Sequence, residues 1–184
     1  VIIVTSDNGP HAAGGIIDPT LLNGAGGLDG MKFELFEGGL RVPMIGRWNG
    51  RWPAGHTVND PHALWDLPST FRELSGAPQK HTDGISLVSK FEGRAGPNHE
   101  SLYWESYHII QPSRTASGYL RQEAALRVGD KKIIRVEEQS TASYVLVFDV
   151  SDPFPDESFS ENLAHDLSSC DWLPELTARL NAEH

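Results

Sequence analysis

Val1-Ile2-Ile3-Val4-Thr5-Ser6-Asp7-Asn8-Gly9 is the stretch from which the architecture follows. Val1 to Val4 are an unbroken β-branched run, the composition of a strand covered on both faces in a parallel sheet. Open sheets of that kind belong to α/β folds, which bind ligands outside the carboxyl ends of their strands. Here such an end carries Asp7 and Asn8, a carboxylate and an amide oxygen. Both are hard donors suited to Ca²⁺ or Mg²⁺. Taken alone, Asp7-Asn8-Gly9 reads first as a strand-end turn.

A second stretch changes that reading. Lys32-Phe33-Glu34-Leu35-Phe36-Glu37-Gly38-Gly39-Leu40-Arg41-Val42-Pro43 supplies a cation, a Glu-Gly-Gly turn and the entry to a strand. Oxygen ligands together with a lysine suggest a site for a tetrahedral oxyanion. The residues Ser6 to Gly9 and the Lys-x4-Glu-Gly-Gly-x-Arg-x-Pro run resemble the type I sulfatases of the alkaline phosphatase superfamily, in their C-terminal portion. The resemblance continues through Arg47-Trp48-Asn49-Gly50, Asp66-Leu67-Pro68-Ser69-Thr70, Asp83-Gly84-Ile85-Ser86-Leu87 and Ala125-Leu126-Arg127-Val128-Gly129-Asp130. It ends with Leu146-Val147-Phe148-Asp149-Val150-Ser151-Asp152-Pro153 and Glu161-Asn162-Leu163-Ala164.

The resemblance implies a sulfuric ester hydrolase acting on a small-molecule or carbohydrate sulfate ester. It implies one Ca²⁺, rather than Mg²⁺, held by Asp7 and Asn8. Two-metal phosphatases of the superfamily carry Asp-His at this place, so Asn8 favours a single ion with oxygen ligands. Lys32 would contact the sulfate and stabilise charge on the departing oxygen, as a point-charge ammonium can. His11, three places after Asn8, would line the pocket or donate a proton; by default it is a polar loop residue. Glu37 and Arg41 are expected to pair and hold the Gly-Gly turn.

The family's nucleophile is a formylglycine made from Cys or Ser in a Cys/Ser-x-Pro-x-Arg motif, and this chain shows none. Cys170 is followed two places on by Trp172, and ahead of Pro112-Ser113-Arg114 the nucleophile position is Ile110. The expectation is therefore a C-terminal portion that carries part of the calcium and sulfate site and is inactive by itself. It would need the N-terminal sulfatase portion as its partner. Two alternatives stand beside it: a phosphatase or phosphodiesterase of the same superfamily, and a non-catalytic fragment that binds an ion or a polypeptide.

Composition narrows the classes. The chain has 184 residues, of which 39% are hydrophobic, enough for one compact core or two small ones. A net charge of -10 and a pI near 5.2 argue against nucleic acid, which requires a basic surface. No apolar run is long enough to span a membrane. One cysteine permits no internal disulfide. Sulfatases are often exported, so the resemblance favours a periplasmic or extracellular setting. The chain opens inside an apparent core strand, which predicts self-association through an unpaired apolar edge.

Two regions are expected. Residues 1–95 read as the C-terminal part of the α/β domain: strands at 1–5 and 42–47, an irregular loop over 10–30, and a helix over 62–75 kinked or delayed by Pro68. Residues 96–184 read as a small antiparallel sheet with a terminal helix. Its strands fall near 101–107, 122–127, 132–136 and 143–150, its loop near 152–162, and its helix over 172–181 after Asp171 as cap. Arg127 and Lys132 belong to the hairpin of this unit. Tyr103, Trp104 and Tyr107 read as core packing rather than as a sugar-stacking surface.

Overall fold

A computed structural model of the protein describes residues 1–11, 18, 21–110, 119–138, 143–151 and 173–182. In chain order the elements are β1 (Ile2–Thr5), α1 (Glu37–Leu40), β2 (Met44–Arg47), α2 (Asp66–Ser75), α3 (Val88–Phe91), β3 (Leu102–Ile110), β4 (Tyr119–Val128), β5 (Lys131–Glu138), β6 (Tyr144–Asp149) and α4 (Leu173–Ala182). They form two compact units: Val1–Asp7 with Val42–Glu100, and Asn8–Arg41 with Ser101–His184. The segment that begins at Asn8 thus groups with the sheet of the later residues, not with the strand that precedes it. Pro112-Ser113-Arg114, Cys170, the 152–162 loop and the Asp171 cap lie outside the described residues.

In the first unit β1 pairs antiparallel with β2, with Val4 opposite Ile45 and Ile3 opposite Gly46. The β-branched run is not covered on both faces among the described residues. Ile2 and Val4 are 62% exposed and Ile45 is 70% exposed, while Ile3 and Thr5 are half-buried. The reason is the period of two: an unbroken apolar run puts alternate residues on opposite faces, and here one face has cover. Ile3 and Val1 line a hollow of about 370 Å³ with Phe71, Leu74 and Ser75 of α2. The helix starts at Asp66, so Pro68 sits in the first turn, where no intrahelical partner for its missing N–H is required. It ends at Gly76 in the left-handed conformation.

The interior of this unit is largely polar. Asp66 is fully buried; its carboxylate accepts from the Ala63 and Ile85 amides, each at 2.9 Å, and lies 2.8 Å from His99 Nε2. Thr70 Oγ1 donates to the Asp66 carbonyl and accepts from the Leu87 amide. Lys90, 5% exposed on α3, is held by Asp60 and Asn98.

The second unit is a four-stranded antiparallel meander, β3-β4-β5-β6. Strict alternation divides its side chains between two faces. Ala124, Leu126, Ile133 and Val147 pack with Leu176 and Leu180 of α4, with Tyr103 at the margin. Ala125, Ile134 and Val136 pack with Leu35, Phe36 and Leu40, with Trp104 at the margin. Tyr103 and Trp104 therefore belong to opposite cores, whereas Tyr107 is 56% exposed. The described elements are antiparallel sheets and few helices, a set compatible with part of an α/β sulfatase fold.

Candidate functional site

Asp7 is exposed at the carboxyl end of β1, in the first unit. Asn8, next in the chain, is half-buried and opens the second unit; its Nδ2 donates to the Gly9 carbonyl at 2.8 Å. That bond sets the plane of the amide, with the oxygen as its acceptor end. Among the described residues no cluster of three or more His, Cys, Asp or Glu could hold a metal. The Asp-Asn pair is an oxygen-only donor set, which fits Ca²⁺. An ion with six to eight oxygen ligands would need further donors beyond these two.

The residues after Asn8 are tied to the Glu-Gly-Gly turn. The Gly9 amide donates to the Gly39 carbonyl at 2.9 Å. A Cβ on Gly9 would lie 1.9 Å from the Gly38 oxygen, and one on Gly38 would meet the carbonyls of residues 28–30 at 2.6 to 2.7 Å. Both contacts are shorter than atoms tolerate, so glycine at these two places permits the approach. The Lys32 amide donates to the Pro10 carbonyl at 2.8 Å. Asn8, His11 and Lys32 are thereby drawn together along the backbone.

The Lys32 and His11 side chains meet on Phe33. The Lys32 ammonium lies 5.3 Å from the centre of the Phe33 ring, and the His11 ring meets it edge-on at 5.5 Å. Phe33 itself has φ 83° and is 58% exposed. A non-glycine residue in this region carries backbone strain on the order of 1–3 kcal/mol, which neighbouring bonds must offset. One such bond runs from Ser106 Oγ on β3 to the Phe33 carbonyl, at 3.0 Å. Phe33 was not singled out from the sequence, since nothing in its local pattern marks a positive φ.

Among the described residues Glu37 pairs with the sheet rather than with Arg41. Its carboxylate is 2.7 Å from Lys132 Nζ on β5 and 3.4 Å from Arg127 Nη1 on β4. Arg41 is exposed; its amide, not its guanidinium, is bonded to Glu37, at the carbonyl. The physical reason is burial. Lys132 is 1% exposed, and a buried ammonium without a counter-charge is far costlier than an exposed guanidinium in water. Burial pushes the Lys132 ammonium below its ordinary range, and Glu37 opposes that shift. The strand pattern held a signal for this: Lys132 shares the inward face of β5 with Ile134 and Val136, so its charge had to meet a partner inside.

Residues 1–77, which contain Asp7, Asn8, His11 and Lys32, match the sulfatase family. Over this stretch the chain is similar to the sulfatases. It is 35% identical over 115 residues to arylsulfatase H of Homo sapiens, covering 56% of this chain and 19% of that protein. It is 33% identical over 108 residues to steryl-sulfatase of Homo sapiens, covering 56% and 18%. Arylsulfatase A of Bos taurus is 31% identical over 114 residues, covering 58% and 21%. The match thus spans about one fifth of the length of these curated relatives. No described helix is long and apolar enough to cross a membrane.

Proposed function

We propose that this chain carries part of the calcium and sulfate site of a sulfuric ester hydrolase. The overall reaction is a sulfate ester plus water giving an alcohol, sulfate and a proton. The observation that supports the reading is the Lys32 amide bonded to the Pro10 carbonyl, which ties the lysine to the segment that begins with Asn8. Asp7 and Asn8 would hold Ca²⁺, and a bound ion of this kind acts as a Lewis acid on sulfate oxygens. Lys32 would bind the sulfate and neutralise charge developing on the ester oxygen. His11, held against the same Phe33 ring, would line the pocket. The attacking group would come from outside these 184 residues, so the isolated chain would not turn over.

The test separates ion from lysine. Asp7→Ala is expected to weaken Ca²⁺ binding to the chain in a calorimetric titration. Lys32→Ala is expected to leave Ca²⁺ affinity nearly unchanged. In the complete enzyme at saturating Ca²⁺, Lys32→Ala should lower turnover of aryl sulfates on the order of 10²-fold. The loss should grow as the leaving alcohol becomes more basic. Unchanged Ca²⁺ affinity in Asp7→Ala, or nitrophenol release from nitrophenyl sulfate by the pure chain, would overturn the assignment.

A further inference from the structure

The hairpin of β4 and β5 contains charged groups that the proposed chemistry does not use. Lys132 is 1% exposed, bonded to Glu37, and sits 5.7 Å from the centre of the Trp104 ring. Arg127 makes the second contact to Glu37 and is held by the Gly129 carbonyl at 2.9 Å. Glu123, fully buried on β4, accepts from the Leu35 amide and is paired with Arg121. The sheet therefore grips the 31–41 segment at two points by charge, Leu35 and Glu37, and alongside them by the apolar contacts of Leu35, Phe36 and Leu40.

From Glu37 a short path leads to the site residues. Glu37 opens α1, which also holds Gly38 and Gly39. Gly38 donates to the Asp29 carbonyl at 2.6 Å, and Gly39 accepts from Gly9, the residue after Asn8. Lys32 lies inside the same segment and donates to Pro10. Glycines at 9 and 38 leave no spare volume for these strands of backbone to slide. A shift of α1 is thus transmitted to Asn8 and Lys32 together.

We infer that Lys132 and Arg127 are positioning residues, which hold Lys32 and Asn8 in place by anchoring Glu37 to the sheet. The functional meaning rests on the reading of Asn8 and Lys32 as site residues; the mechanical coupling does not. A purely structural ion pair would behave differently. Replacing both members of a buried pair by uncharged groups of similar size often restores stability. A lost anchor would leave the loop free even when the sheet is stable.

The experiment is amide hydrogen exchange on the full 184-residue chain, comparing wild type with Glu37→Gln and with the double variant Glu37→Gln/Lys132→Met. The Lys32 and Gly9 amides report the loop, and the Ala125 and Ile134 amides report the sheet. Exchange at Lys32 and Gly9 is expected to rise about tenfold or more in both variants, as loss of a charge-assisted anchor allows local opening. In the double variant the sheet amides should remain as protected as in wild type. Loop protection that returns in the double variant, or that falls only in step with the sheet, would overturn the inference. Titration with sodium sulfate gives the separate readout of function. A wild-type chain that does not respond at Lys32 removes the sulfate reading, and the exchange data still decide the coupling.

Discussion

The two units are held together by different kinds of interior. In the sheet unit most buried residues are apolar, with Ala125, Leu126, Ile133 and Ile134 fully covered and Glu123 and Lys132 as buried, paired charges among them. In the unit of β1, β2, α2 and α3, fully or nearly buried positions include Asp66, Ser69, Thr70 and Lys90, while Val1, Ile2, Val4 and Ile45 are exposed. One unit is built mainly on the ordinary rule of apolar residues inside, with two charged residues buried as members of ion pairs. The other places hydrogen-bonded polar groups inside and leaves apolar strand faces outside. The lesson concerns what each can tolerate. An apolar core loses stability in proportion to the volume removed, whereas a polar core fails where one acceptor serves several donors.

The sharpest way to break this contrast is at Asp66. Asp66→Ala leaves the buried Ala63 amide, the half-buried Ile85 amide and His99 without their acceptor, and should cost about 3–5 kcal/mol by urea unfolding of the first unit. Leu126→Ala in the sheet unit should cost about 3 kcal/mol through the cavity it leaves. A loss at Asp66 below about 1 kcal/mol would mean that the polar interior is incidental.

A smaller effect should appear with pH. His62 has neither ring nitrogen hydrogen-bonded among the described residues. Burial lowers its pKa from 6.5, with Lys90 and His99 adding to the shift and Asp66 and Asp60 opposing it. The folded unit thus prefers neutral His62. Its contribution is fully present above pH 6.5 and is lost as pH falls through the lower folded value. Unfolding midpoints of the first unit should decline on acidification from neutrality, and His62→Gln should flatten that decline. An unchanged slope would reject the assignment to His62.

The sheet unit has a weaker titration of the usual acid kind. Lys131, then Ser151, hold the Asp149 carboxyl at about 2, below its ordinary 3.8. Stability from this group is present above pH 3.8 and is lost as pH falls through about 2. Because both side chains are more than a third exposed, Lys131→Ala should cost less than about 1 kcal/mol. The measurement is acid unfolding of the sheet unit with and without Lys131.

The smallest expected change in stability is on the exposed faces. Ile45→Lys should alter unfolding free energy by no more than about 0.5 kcal/mol, since the side chain is already in water. It should nevertheless lower self-association, read by light scattering at high concentration, because it places a charge on an apolar strand pair. Association that is unaffected by Ile45→Lys would locate the sticky surface elsewhere.

Much of the molecule could be read from local pattern. Short strand-forming stretches near 101–107, 122–127, 132–136 and 143–150 correspond to β3 to β6, and Gly129 marked the turn between β4 and β5. Gly76 marked the end of α2, and Pro68 its delayed start. The chemical types at the candidate site, an Asp-Asn oxygen pair and a lysine before Glu-Gly-Gly, were equally visible. These signals are local, because a period, a cap or a turn is specified within a few residues. Long-range pairing is not. That Asn8–Arg41 joins the later sheet, that Phe33 adopts a left-handed backbone, and that Glu37 chooses Lys132, 95 residues away, over nearby Arg41 depend on which faces meet. Burial made that choice: Lys132 was carried into the interior by the alternation of β5, and its charge required a carboxylate, which Glu37 supplies.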